Sequence, residues 1–163
     1  MPLDVELTTV RGRWLRHVPA GVDPHSRPSP PGDNRWQRGT EVDALYLCDH
    51  IDCVWAEWYR HLAERGVPPQ RALPRDVWSY EIESLEVVDL RTTGRLARAG
   101  LPEPVPGRRG WTQFQAVGEQ LHTGGHAGLL APSAARPQST ILCIFLPTPE
   151  TVRPVPPPTR ISD

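Results

Sequence analysis

Arg35 and Trp36 stand side by side in the stretch GDNRWQRGTEVDALYL, and Tyr46 follows inside its apolar ALYL run. A guanidinium offers a planar fork of donors to an anion, while an indole or a phenol offers a flat apolar face. A hairpin needs no such pair, but an anionic, aromatic ligand would use both. Three more polar residues interrupt apolar segments: Arg16 in WLRHV, Glu57 in VWAEW and Ser133 in LLAPSAARP. Glu57 falls off the apolar stripe of its segment, with Cys53 and His61 at i−4 and i+4, and reads as a solvated carboxylate paired with His61. Ser133, taken on its own, is a turn serine.

Motifs that would announce a chemistry directly are missing. The chain has no GxGxxG after a strand, no GxxxxGK[ST] and no GxSxG, which sets aside the usual nucleotide cradles and the serine-hydrolase elbow. His122 and His126 are four apart in HTGGH, but the two glycines between them break the helix that a metal pair needs. Cys48, His50 and Cys53 follow no recognised ligand spacing. Neither a metal nor an organic cofactor is expected.

The elements that must position these side chains can be read from periodicity. Strands are expected over residues 12–18 (GRWLRHV) and in DALYLC, and DHIDCVWAEWYRHLAERG reads as a helix with Asp49 as N-cap and Gly66 just past its end. Within it Ile51, Val54, Trp55, Trp58 and Leu62 make one apolar stripe. VWSYEIESLEVVDL reads as one long bent strand or two short ones, and TGRLARAG as a short helix. In TQFQAVGEQLHTGG, Thr112 and Gln115 suggest a capping box and the double glycine a stop. AGLLAPS and STILCIFL read as buried strands. Helices and strands mix without a regular β-α-β beat, which predicts an α+β fold, a mixed central sheet with flanking helices.

Length fits one domain, placed at residues 1–146. Residues 147–163 hold six of the twenty prolines and are expected to form an extended or disordered tail. The net charge of −1, with all 18 basic residues arginine, gives no electrostatic footprint for nucleic acid. The N-terminus lacks a signal-type apolar region, no run is long enough to cross a membrane, and three cysteines form no CxxC pair. A cytoplasmic protein without membrane or nucleic-acid contacts is expected.

Six short motifs in order, WLRHVPAG, DNRWQRGT, ALYL, VWAEW, TQFQAVGEQL and AGLLAPSAARP, resemble the RES domain, a family named for its arginine, glutamate and serine. The resemblance spans roughly residues 12–146. It implies a fold like that of ADP-ribosyltransferase toxins, and an activity that destroys NAD+ by hydrolysis or phosphorolysis of its nicotinamide–ribose bond. It also implies a role as the toxin of a bacterial toxin–antitoxin pair, held inactive by an Xre-like antitoxin. A transferase that modifies a macromolecule, or a non-catalytic binding module, remains open beside it.

Carried over residue by residue, Arg16, Arg35, Tyr46, Glu57 and Ser133 become one pocket. Arg16 and Arg35 would clamp the pyrophosphate, with inorganic phosphate as a possible co-substrate. Tyr46 would stack on a ring, and Ser133 would orient the ligand. Glu57 would stabilise the developing oxocarbenium charge or bind the ribose hydroxyls. Asp33 and Asn34 stand where the family has two glycines, so bulk and negative charge are expected beside the anion site.

Overall fold

The computed structural model describes residues 2–163. Six strands and three helices follow one another as β1 (Leu7–Pro19), β2 (Ala44–Cys48), α1 (Ile51–Arg65), β3 (Arg75–Asp89), α2 (Thr93–Arg98), α3 (Trp111–Thr123), β4 (Gly128–Pro132), β5 (Thr140–Phe145) and β6 (Val152–Ile161). The strands form a mixed sheet in the order β1-β2-β5-β4-β3-β6, and β1 also pairs with β3. That extra pairing closes β1, β2, β5, β4 and β3 into a ring. Only β3 and β4 run parallel. The α+β class expected from the sequence is the one observed.

Period-two alternation decides which side chains the ring encloses. Leu45 and Leu47 of β2 point inward with Leu130, Leu142 and Ile144, and meet Trp14 and Tyr80 there. The intervening residues Ala44 and Tyr46 point outward. On that outer face Ala131, Cys143 and Phe145 pack under Leu96 of α2 and Phe114 and Leu121 of α3. A smaller cluster, Cys48, Cys53 and Val54, seats α1 beside it.

Local stops fall close to the expected places. Gly66 ends α1 in the left-handed region, φ 65°, its N–H reaching Ala63 O and Leu62 O. The N-cap is His50 rather than Asp49, its Nδ1 accepting from Asp52 N–H at 3.1 Å. In α3 the capping box does not form. The helix begins at Trp111 with Gly110 as N-cap, which puts Thr112 inside the first turn, and Gln115 donates to the carbonyls of Asn34 (3.0 Å) and Gln37 (3.4 Å). The long strand is single, residues 75–89.

The expected tail is a correction. Residues 152–161 form β6 along β3, with registers from Ile82↔Val152 to Arg75↔Ile161, and Val152 is buried with the ring's interior cluster. Prolines are tolerated there because β6 is an edge strand, where missing N–H donors face away from the ladder. Arg160 grips the buried Asp76 of β3 with both arms, at 2.7 and 3.0 Å. Those bonds, with Gly21 N–H at 2.8 Å, draw the Asp76 carboxyl down to about 2.

α3 also presses on the loop that carries Arg35. Trp36 is fully buried with its ring edge-on to Phe114 at 5.2 Å, so it is a core residue and offers no stacking surface. Gly118 packs against the Trp36 carbonyl so closely that a Cβ would overlap the oxygen. Gly118→Ala is therefore expected to lower stability by about 2–3 kcal/mol through overpacking, read as a lower urea midpoint with an unchanged slope.

Candidate active site

Four of the five residues singled out in the sequence are brought to one outer region between α1, α3 and the end of β4. Glu57 projects from α1, Ser133 follows β4, Tyr46 faces outward from β2, and Arg35 comes from the loop before β2. Ser133 is fully buried, and its Oγ donates to Glu57 Oε1 at 2.6 Å while accepting from Arg136 N–H at 3.0 Å. Ala135 N–H adds a longer bond to the same Oε1, 3.4 Å. Arg60 Nη2 donates to Glu57 Oε2 at 2.8 Å.

Glu57 therefore pairs with Arg60, one turn along α1, and not with His61. An ionised carboxylate has about four lone-pair positions. Three of them are taken here, which leaves one acceptor direction on a fixed, charged group. Burial pushes this carboxyl up, but the Arg60 charge and the bonds from Ser133, Arg60 and Ala135 outweigh it. The net result lies below the ordinary carboxylate range, so Glu57 is ionised at neutral pH.

Arg35 is 7% exposed. Its Nη2 donates to Val105 O at 2.7 Å, and its guanidinium lies over the Phe114 ring, 5.2 Å from the centroid. Its Nη1 is buried and has no partner among the described residues. A buried N–H without an acceptor costs about 1–3 kcal/mol, and this one belongs to a cation. Burial, then Arg60, lower its pKa, and Glu57 works in the opposite direction. Arg35 thus holds one buried, unpaired arm within the electrostatic reach of Glu57.

Tyr46 is held by its hydroxyl, which donates to Gln37 Oε1. Gln37 also donates to Gly32 O at 3.1 Å, while a short bridge joins Asn34 and Gln37. Asp33, expected to crowd the anion site, accepts from Gly39 N–H at 2.9 Å and is exposed. Its charge caps the loop that bears Arg35.

Arg16 stands apart. Opposite Trp78 in the β1–β3 ladder, it takes the face that Leu15 and His17 do not, and those two meet α1. Its arms donate to Pro24 O (2.9 Å) and Ser26 O (2.7 Å), and Tyr80 Oη joins it on Pro24 O at 2.8 Å. Strand parity, which the short motif does not display, turns Arg16 toward the ring's interior side. It fastens the 20–26 loop, and no contact joins it to the Glu57 group among the described residues.

Two residues escaped the sequence reading. Arg60 bonds Glu57 and, through Nη1, Glu64 at 2.8 Å. Glu64 Oε1 accepts in turn from Gly107 N–H at 3.1 Å. The spacing E-x-x-R-x-x-x-E in EWYRHLAE was visible and gives this i, i+3, i+7 ladder. No spacing points to the loop near Val105, which meets Arg35 only in the folded chain.

A fixed carboxylate, a neighbouring cationic donor and a seryl hydroxyl define a site suited to a ligand with both anionic and hydroxyl groups. The RES domain family model matches residues 10–162, and the chain belongs to that family. No curated protein matches it. Among solved structures, the crystal structure of the M. tuberculosis MbcT–MbcA toxin–antitoxin complex contains a chain that superposes with a TM-score of 0.82 at 19% identity. That match covers 96% of this chain and 87% of the other. None of the helices crosses the length and apolarity needed to span a membrane, among the described residues.

Ser133→Ala removes the shortest bond to Glu57 and leaves Arg136 N–H without its acceptor. Stability at neutral pH is expected to fall by about 1–3 kcal/mol. The pH dependence carries a sign. A carboxyl with a depressed folded-state pKa stabilises the fold above its unfolded value, and that contribution is lost as pH falls through the folded value. With Ser133→Ala the Glu57 pKa rises toward its unfolded value, so the acid-dependent part of the stability is expected to be smaller than in the wild type and to be exhausted at higher pH. Urea unfolding over a pH series reads both effects.

Proposed function

We propose that this RES domain is an enzyme that degrades NAD+ by cleaving its nicotinamide–ribose bond. The observation that carries this reading is the held, ionised Glu57 bonded to Ser133 and within electrostatic reach of Arg35, whose Nη1 is unpaired among the described residues. NAD+ presents a pyrophosphate, two riboses and two flat rings, and this site pairs a guanidinium with a carboxylate and a phenol. Arg35 would take a phosphate oxygen with Nη1. Tyr46 would border a ring. Glu57 would use its remaining lone pair on the ribose, where positive charge develops.

The chemistry needs little from the protein beyond electrostatics. As the C1′–N bond breaks, its electron pair goes to the pyridinium nitrogen, and nicotinamide leaves neutral. The ribose becomes oxocarbenium-like, and a fixed anion that requires no reorganisation stabilises it. Water adds at C1′ and loses a proton to give ADP-ribose. Inorganic phosphate, adding in the same place, gives ADP-ribose 1″-phosphate.

The wider reading is a toxin of a toxin–antitoxin pair, with an ADP-ribosyltransferase-like fold, acting in the cytoplasm where NAD+ is abundant. The MbcT–MbcA complex, whose chain shares this fold over nearly the whole length, supports it, as does membership of the family. An Xre-like antitoxin is the expected partner.

Incubating the purified chain with NAD+, with and without phosphate, tests the reading. Free nicotinamide with ADP-ribose or its phosphate is expected, and Glu57→Gln or Arg35→Ala is expected to slow its release at least about 100-fold. Intact NAD+ after prolonged incubation, or label transferred to a macromolecule, would overturn it.

A further inference from the structure

Arg60 links both ends of the charge ladder on α1. Its Nη2 holds Glu57 Oε2 at 2.8 Å, its Nη1 holds Glu64 Oε1 at 2.8 Å, and its side chain is 16% exposed. The same Glu64 Oε1 also accepts from Gly107 N–H, two residues beyond the Val105 carbonyl that takes Arg35 Nη2. One short loop is thus fastened to Arg35 directly and to Glu57 through Glu64 and Arg60.

We propose that Arg60 is the positioning residue of the site: it fixes Glu57 Oε2 so that the carboxylate presents its one unfilled lone pair to the ligand in a constant direction and stays ionised.

Three physical points support the assignment. A glutamate on a helix has three rotatable bonds, so a bond at Oε1 alone leaves the carboxylate free to turn about the Ser133 contact. Arg60 supplies the second fixed point, and the Glu64 bond keeps the guanidinium from following Glu57 if the carboxylate moves. Finally, the i, i+3 and i+4 spacings hold all three side chains on one strip of α1, so the arrangement survives small shifts between α1 and the sheet. Arg60 reaches the reacting atoms only through Glu57, which distinguishes it from Arg35.

The proposal rests on the reading that Glu57 meets the ribose, and its test is chosen to separate the two. Glu57 is followed by carbon-detected NMR titration of carboxyl-labelled glutamate, with its signal assigned by loss in Glu57→Gln. NAD+ turnover is followed in parallel across pH. In Arg60→Gln the Glu57 signal is expected to titrate at higher pH than in the wild type, and the acid limb of turnover to move up with it. At neutral pH kcat should fall about tenfold or more while KM changes less than about threefold, the pattern of a lost transition-state interaction. Arg60→Lys, which keeps the charge but not the fork, should leave the titration near the wild-type position and restore part of kcat; it also guards against a folding defect in Arg60→Gln. An unchanged Glu57 titration in folded Arg60→Gln overturns the proposal, as does wild-type kcat in that variant. A wild-type chain that leaves NAD+ intact sinks the reaction assignment instead, and the NMR titration then still decides whether Arg60 governs Glu57.

Discussion

The structure depends most on how a partly buried carboxylate is kept charged. Desolvating an ion costs several kcal/mol after relaxation, and removing one partner of a buried pair is strongly destabilising. Glu57 meets that demand with donors from separate parts of the chain: Arg60 on its own helix, and Ser133 Oγ with Ala135 N–H in the turn between β4 and β5. These bonds tie α1 to the end of β4 across 76 positions of sequence. The same turn is closed by Ser133 N–H on Ser139 O and Arg136 N–H on Ser133 Oγ. Register between helix and sheet is therefore set at the site itself, beyond the apolar contacts of Cys48, Cys53 and Val54.

A second constraint acts on the Arg35 loop. Where glycines would let the backbone turn freely, Asp33 and Asn34 reach a closed loop through hydrogen bonds: Asp33 to Gly39 N–H, and Asn34 to Gln37 in both directions. Gly39 has to be glycine because a Cβ would overlap the Pro31 carbonyl. Gln37 then couples the loop to Tyr46, and Gln115 couples it to α3. The acidic residue that sequence logic placed against the anion site is used to shape the loop. A change of residue type at this position alters how the loop is held without aligning a negative charge with Arg35.

Much of the fold was legible because its signals are local. Gly66 ends α1, the alternation around Leu45 and Leu47 marks β2, and the 3.6-residue stripe of Val54, Trp58 and Leu62 marks the face of α1 that is buried. What stayed hidden is tertiary. β6 carries four prolines in VRPVPPPTRI, a composition that argues for a tail, and only its place at the sheet edge makes a strand compatible with them. The Thr112 box does not form because the N-cap lies two residues earlier, at Gly110, with Thr112 inside the first turn. Site residues divide in the same way. The family resemblance brought out Glu57, Ser133, Arg35 and Tyr46, and the fold gathers them; Arg16 sits in an equally suggestive motif, yet one step of strand parity sends it to the other face. Arg60 and His61 both lie at helical spacing from Glu57, and spacing alone does not rank a guanidinium with two carboxylates above an imidazole.

The site is held unevenly, and the unevenness fits the chemistry proposed for it. At Glu57 three of about four acceptor positions are filled by the protein, so little is left to organise when charge develops on a sugar. At Arg35 one arm is bound to a backbone carbonyl of a loop and the other is unpaired. That carbonyl belongs to Val105, which is among the most exposed large apolar residues of the chain, so the loop has little burial to hold it against a stronger acceptor. A phosphate oxygen is such an acceptor, because charge-assisted bonds of guanidinium to anion are roughly twice as strong as neutral ones. An anion at Arg35 would have to reach the buried Nη1 and compete with the Val105 carbonyl for Nη2. Rigidity is thus concentrated where a transition state would need it, and adaptability where a ligand must enter and leave. A catalyst that works by fixed charge, with no covalent step of its own, calls for that division.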